Sequence, residues 1–176
     1  MIEQVVLVDE TDKEIGHMEK LAAHHAGLLH RAFSVFVFNT KGELLMQRRA
    51  DGKYHSPGLW TNTCCGHPRP GERTVQAAGR RLMEEMGLSC ALLEVFHFRY
   101  DAALEGGLRE NELDHVIVGV SDRAPVPDPH EASAVRYVAR HDLEQELAAH
   151  PERFTVWFPL CYARAWDMAH LATTVV

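Results

Sequence analysis

A glycine, an acid and a mixed basic–acidic helix end are spaced in this sequence as one unit: Gly66, five residues, Glu72, seven residues, then Arg80-Arg81-Leu82-Met83-Glu84-Glu85-Met86-Gly87-Leu88. Val75, Ala78, Leu82 and Met86 recur at intervals of three and four, so Glu72 to Met86 predicts a helix that Gly87 stops. Glu84 and Glu85 then fall in its last turn, where the negative end of the helix dipole disfavours a carboxylate by about 0.3–1 kcal/mol. Something cationic has to compensate. Arg80 and Arg81 lie one turn earlier, at the spacing for pairing with Glu84 and Glu85, and a Mg²⁺ shared between carboxylate and phosphate oxygens would do more. The bland alternative is a helix end laced only by exposed salt bridges. The 12 histidines are the other chemical signal, since imidazole binds divalent metals and moves protons near neutral pH.

The elements that must position these groups belong to one domain. With 176 residues, 46% hydrophobic and 24% charged, the chain builds one sizeable core and is neither disordered nor a coiled coil. Its apolar runs, Ala32 to Phe38 and Val116 to Val120, fall far short of the roughly 20 residues that span a bilayer, and Met1 to Glu14 is acidic, unlike a secretion signal. The expectation is a soluble protein with no membrane partner. Eighteen Lys and Arg against 25 Asp and Glu give a net charge of −7, which disfavours nucleic acid. Cys64 and Cys65 are adjacent, a poor disulfide geometry, so these and Cys90 and Cys161 read as reduced thiols with a cytoplasmic address.

Val5 to Val8 predicts a short strand and Asp9 to Lys13 a turn; Glu19 to His25 predicts one or two helical turns ended by Gly27. Arg31 to Asn39 and Glu43 to Arg49 read as a hairpin around the Asn39–Gly42 turn. Asp51 to Gly71, broken by Pro57, Pro68, Pro70 and four glycines, is long for a structureless loop, which marks it as functional. Strands are expected at Leu92 to Tyr100, Glu112 to Ser121 and around Ser133 to Val138, and two helices over Asp142 to Leu171, divided near Pro151 to Pro159. Strands mixed with a few helices imply an α+β or mixed α/β sandwich.

The Gly66–Leu88 unit resembles the Nudix box, a loop–helix–loop that binds a divalent cation and a diphosphate; Arg81 stands where that box usually has glutamate. Fused to its front is Leu59-Trp60-Thr61-Asn62-Thr63-Cys64-Cys65-Gly66-His67-Pro68, and downstream lies Arg109-Glu110-Asn111-Glu112. Together with Glu19 to His24, His30, Arg48-Arg49-Ala50, Phe98-Arg99-Tyr100 and Thr155 to Phe158, these resemble the type I isopentenyl-diphosphate isomerases over most of the chain. That likeness implies a Nudix-type α/β/α sandwich with a mixed central sheet.

It also implies a metal held by His24, His30, His67, Glu110 and Glu112. Residues two apart on a strand point to one side, so Glu110 and Glu112 can converge while Asn111 faces away. His24 and His30 cannot share a helix face, and Gly27 permits the bend that brings them together. The donor set suits Zn²⁺, Mn²⁺ or Mg²⁺ alike. His17, His25, His55, His97, His115, His130, His141, His150 and His170 are expected to be bystanders.

The resemblance further implies interconversion of isopentenyl and dimethylallyl diphosphate through a tertiary carbocation. Cys65 and Glu112 are the proton-transfer groups, Tyr100 assists, and which group is the acid in which direction is open. Lys20, Arg49, Lys53 and Arg81 match diphosphate-contacting positions, and a Mg²⁺ between Glu85, the Cys65 carbonyl and phosphate oxygens would complete the anchor. Trp157 would face the cation, but such a contact is worth only about 2 kcal/mol, about thirtyfold in rate against the million-fold that enzymes commonly reach. Val156 before it replaces a proline common in related proteins, a departure that bears on the aim of the ring. A monomer or weak dimer acting on a small diphosphate is expected. The competing readings are a Nudix hydrolase of a nucleoside diphosphate derivative and a catalytically silent metal- or diphosphate-binding module.

Overall fold

The computed structural model describes residues 3–174. In chain order these form β1 (Gln4–Val8), β2 (Glu14–Glu19), α1 (Lys20–Ala26), β3 (His30–Phe38), β4 (Leu44–Arg49), β5 (Trp60–Thr61), β6 (Cys64–Gly66), α2 (Thr74–Met86), β7 (Leu92–Ala103), β8 (Arg109–Val120), β9 (Ala132–Val138), α3 (Arg140–Ala149) and α4 (Phe158–Met168), with short 3-10 turns between and after them. The strands make one mixed nine-stranded sheet. Its axis is β3, which runs parallel to β8 from His30↔Glu112 to Phe38↔Val120. The other edge of β3 is shared in turn by β1 at His30, β6 at Phe33 to Val35 and β4 at Val37 and Phe38.

Strand alternation decides what each face holds. Phe33, Val35 and Val37 of β3 and Ile117 of β8 turn to α2, where Ala77, Ala78, Leu82 and Met86 close one core layer. Phe36 and Phe38, with Val116 and Val118, turn the other way and pack with Leu143 of α3 and Phe158, Cys161 and Ala165 of α4. The result is the expected α/β/α sandwich. On the α4 side, the apolar stripe gives way toward the start of β3 and β8 to His30, Ser34, Glu110, Glu112 and Asp114, all buried. No described helix is long and apolar enough to cross a membrane.

Three elements differ from the sequence reading. β2 lies where no strand was expected, between the Asp9–Lys13 turn and the helix expected from Glu19; it is an edge strand paired only with β1, and with Glu14, Ile15 and His17 exposed it carries no buried apolar alternation to announce it. β8 starts at Arg109, three residues before the expected Glu112, because pairing with β7 continues to Ala103↔Arg109 through a polar segment. Helix α2 starts at Thr74 because the Glu72 carboxylate is engaged outside it, accepting from the Arg69 backbone N–H at 3.0 Å and from Arg80 at 2.8 Å.

Glu19 caps α1, its carboxylate accepting from the N–H groups of Leu21 (3.0 Å) and Ala22 (2.7 Å). Gly27 ends it in the left-handed conformation, φ 61°, with its carbonyl held by the Asn111 side chain at 3.0 Å. A Cβ added there would lie 3.0 Å from Arg109 Cδ. Gly27→Ala is therefore expected to destabilise the fold by about 1–2 kcal/mol, read as a lower denaturation midpoint at unchanged m-value; an unchanged midpoint would show that this bend does not need glycine.

Candidate active site

The buried polar end of the α4-facing layer opens into a cavity of about 340 Å³ whose wall includes Cys65, His67, Tyr100, Glu110, Glu112 and Trp157. Helix α1 delivers His24, β3 delivers His30 and the segment after β6 delivers His67. One ligand atom from each of these and from Glu112 lies within 4.8 Å of the others. Glu112 Oε1 is 3.0 Å from His67 Nε2 and 3.4 Å from His30 Nε2. The outer nitrogens are tied to carbonyls: His24 Nδ1 at 3.3 Å from Arg109 O and His30 Nδ1 at 2.8 Å from Leu28 O. A ring donating from Nδ1 presents a bare lone pair at Nε2, and both Nε2 atoms are buried with no hydrogen-bond partner. Orphaned, converging imidazole nitrogens beside a carboxylate are the chemistry of a divalent-metal site, and the donor set fits one.

Four of the five expected ligands thus come together, and Glu110 stands one step away. The Tyr100 hydroxyl lies 2.9 Å from Glu110 Oε2 and 2.6 Å from Glu112 Oε2. One hydroxyl proton cannot serve both. Burial and the neighbouring Glu112 charge push the Glu110 carboxyl well above the usual carboxylate range. Burial also opposes charge on Glu112, but His30 and His67 outweigh it and hold that carboxyl well below its ordinary value.

Cys65 approaches from the opposite edge of β3, paired with Ser34, while Glu112 pairs with His30 on the β8 edge. Burial, with Asp114 nearby, pushes its thiol up to about 12, so it keeps its proton at neutral pH. Asn62 organises this side. Its Oδ1 accepts from Cys65 Sγ at 3.2 Å, Thr61 Oγ1 at 2.8 Å and Trp157 Nε1 at 3.3 Å, while its Nδ2 donates to the Val35 and Cys64 carbonyls. The aim of Trp157 is therefore set by Asn62 despite Val156.

All four expected cations, Lys20, Arg49, Lys53 and Arg81, reach the same cavity. Arg49 Nε is buried without a partner, and its guanidinium carbon lies 5.6 Å from the Trp157 ring centroid. Arg80 grips Glu72 with two 2.8 Å contacts and reaches Glu84 only at 3.4 Å, so it mainly fastens the loop rather than the helix end. Arg81 pairs with Glu84 at 2.7 Å and Glu85 at 2.8 Å, and also with Glu131 at 3.1 Å. Buried Glu85 is additionally held by Gln47 Nε2 at 2.8 Å.

Sequence reasoning missed several wall residues, Glu3, Tyr54, His55 and Glu131 among them. His55, expected to be a bystander, is 7% exposed with Nε2 3.6 Å from Glu110 Oε1; its place in the glycine- and proline-broken segment was the available signal. Glu131 bridges Lys53 and Arg81 from the turn just before β9, with no motif around it.

Residues 28–158 match the NUDIX domain. The chain is 53% identical over 164 residues to the Pectobacterium atrosepticum protein named isopentenyl-diphosphate Delta-isomerase, covering 93% of this chain and 92% of that one. A Burkholderia multivorans protein of the same name is 50% identical over 165 residues, 94% of each chain. A solved Deinococcus radiodurans structure superposes with a TM-score of 0.73 at 21% identity over 98% of both chains, a likeness of fold alone. The fold and the box are those of the NUDIX family, and within it the chain belongs to the isopentenyl-diphosphate Delta-isomerases.

Burial disfavours an imidazolium, so it lowers a histidine pKa. In metal-free protein the His24 ring is expected to stay neutral down to about pH 4 and that of His55 down to about pH 3. An imidazole NMR titration checks this; midpoints near the ordinary 6.5 would mean that water reaches both rings.

Proposed function

We propose that the protein interconverts isopentenyl and dimethylallyl diphosphate by adding a proton to one alkene carbon and removing one from its neighbour, through a tertiary carbocation. The observation that carries this is the meeting of a thiol and a carboxylate in one cavity, Cys65 and Glu112 brought in from opposite edges of β3, where burial favours the thiol form of the one and the neighbouring imidazoles favour the carboxylate form of the other. Allylic transposition needs two such groups on either side of a flat substrate. After one turnover each carrier has the other's protonation state, so a proton must return between turnovers. The Tyr100 hydroxyl, 2.6 Å from Glu112 Oε2 and 2.9 Å from Glu110 Oε2, steadies the Glu112 carboxyl between its two protonation states.

His24, His30, His67 and Glu112 would hold a divalent cation, Zn²⁺, Mn²⁺ or Mg²⁺, with Glu110 joined to the set through Tyr100. When bound it draws electron density from the carboxyl, making the protonated form a stronger acid. Lys20, Arg49, Lys53 and Arg81 would grip the diphosphate, and Glu85 with the Cys65 carbonyl would take the Mg²⁺ that accompanies it. In hydrolases a carboxylate at the Arg81 position helps to collect metal and activate water; a guanidinium there binds the diphosphate and leaves it intact. Trp157 closes the hydrocarbon end. With Arg49 already over its ring, its main contribution is to exclude water, which would trap the carbocation as an alcohol.

Incubation with isopentenyl diphosphate should yield the allylic isomer and no free phosphate; release of phosphate without isomer supports a hydrolase, and neither product supports a silent binding module. Cys65→Ala and Glu112→Gln should each lower turnover by at least about 10²–10⁴-fold while inorganic diphosphate still binds. Wild-type turnover in either variant would defeat the assignment. Arg81→Gln should raise KM by about 10- to 100-fold, the loss of one charge-assisted contact of about 1.5–3 kcal/mol; an unchanged KM would leave Arg81 a purely structural partner of Glu85.

A further inference from the structure

A second group of metal-type donors lies on the opposite face of the sheet. His97 of β7 sits directly across from His115 of β8, with ring centroids 5.3 Å apart. Glu94 lies three residues before His97, and in a regular strand it would face the other way. The ladder is irregular at this point: Glu94 pairs with Ile117 and Phe96 with Val116, so Val95 is an extra, unpaired residue. That bulge turns Glu94 onto the histidine face, an instance of a bulge re-aiming a side chain. As a result one ligand atom from each of Glu94, His97 and His115 lies within 4.8 Å of the other two.

His115 is set as a ligand would be. It is 4% exposed, with Nδ1 2.7 Å from Glu94 Oε1. Its other nitrogen, Nε2, has no hydrogen-bond partner and stands 3.3 Å from Asp12 Oδ2. Asp12 comes from the β1–β2 turn, adopts φ 64°, and is fixed by Arg31, whose Nε donates to Oδ1 and whose Nη2 donates to the Asp12 carbonyl, each at 2.7 Å. A carboxylate behind a ligating imidazole orients the ring and raises its basicity.

We propose that Glu94, His97 and His115 form a second metal site, with Asp12 positioning His115, and that it takes a divalent transition cation of the Zn²⁺ class. Two imidazoles and one carboxylate favour such an ion over Mg²⁺ or Ca²⁺, and three protein ligands leave a tetrahedral position for water. The site would clamp the edge strand β7 to β8, the hairpin whose other face carries Tyr100, Glu110 and Glu112.

The test is calorimetric titration of the full chain with Zn²⁺ alone, comparing wild type with His97→Ala, an exposed residue outside the catalytic cavity. Wild type should take up one more equivalent per chain than the variant, and the two should have equal isomerase turnover. Asp12→Asn should keep that equivalent but bind it about 10- to 100-fold more weakly. Equal zinc stoichiometry in wild type and His97→Ala would overturn the proposal and leave the cluster as an imidazolium ion-paired between two carboxylates.

Discussion

An ionised carboxylate kept away from water governs the rest of this molecule. Glu112 is 5% exposed, and a buried charge without partners costs several kcal/mol. Its two oxygens are therefore divided between a pair of imidazoles and the Tyr100 hydroxyl. The same burial disfavours charge on His24 and His67, and the inward nitrogens of His24 and His30 are buried with no hydrogen-bond partner. A divalent cation would resolve that conflict. The cluster is a preorganised donor set, held by backbone carbonyls behind it.

The backbone achieves this without special geometry. One face of β3 and β8 carries Phe36, Phe38, Val116 and Val118 where it meets α4, and His30, Ser34, Glu112 and Asp114 a few residues earlier. The strands continue unchanged while their side chains pass from packing to chemistry, which gives the reacting groups the rigidity of a sheet. Cys65 gains the same support from β6, whose three residues pair with β3 and whose thiol is held by Asn62. Asn62 shares its carbonyl oxygen among three donors, so the thiol and the Trp157 indole are positioned by one buried group.

How much of this was legible in the sequence follows from range. The box helix, the Gly27 bend and the hairpin at Asn39 rest on local periodicity and turn chemistry, and the structure has them within a few residues. The four cations and the three histidines were legible through a resemblance; no local pattern brings His24, His67 and Lys53 together. Glu131 was illegible, and His55 was signalled only by its place in the glycine- and proline-broken segment, because each acts through partners distant in sequence: Glu131 meets Lys53 and Arg81, and His55 meets Glu110. β2 was missed because an edge strand with one polar and one half-covered face carries no apolar alternation. The Val95 bulge also defeats strict alternation, hiding the Glu94–His97–His115 group among residues expected to be inert.

The central claim is that Glu112 and three imidazoles hold one cation beside the Cys65 thiol. Anomalous diffraction at the manganese edge, from crystals grown with Mn²⁺ and inorganic diphosphate, tests it most directly. The account predicts a peak about 2.0–2.3 Å from His24, His30, His67 and Glu112, with the Cys65 sulfur facing the same cavity. Manganese bound only at the box helix, with the three rings turned apart, would contradict it.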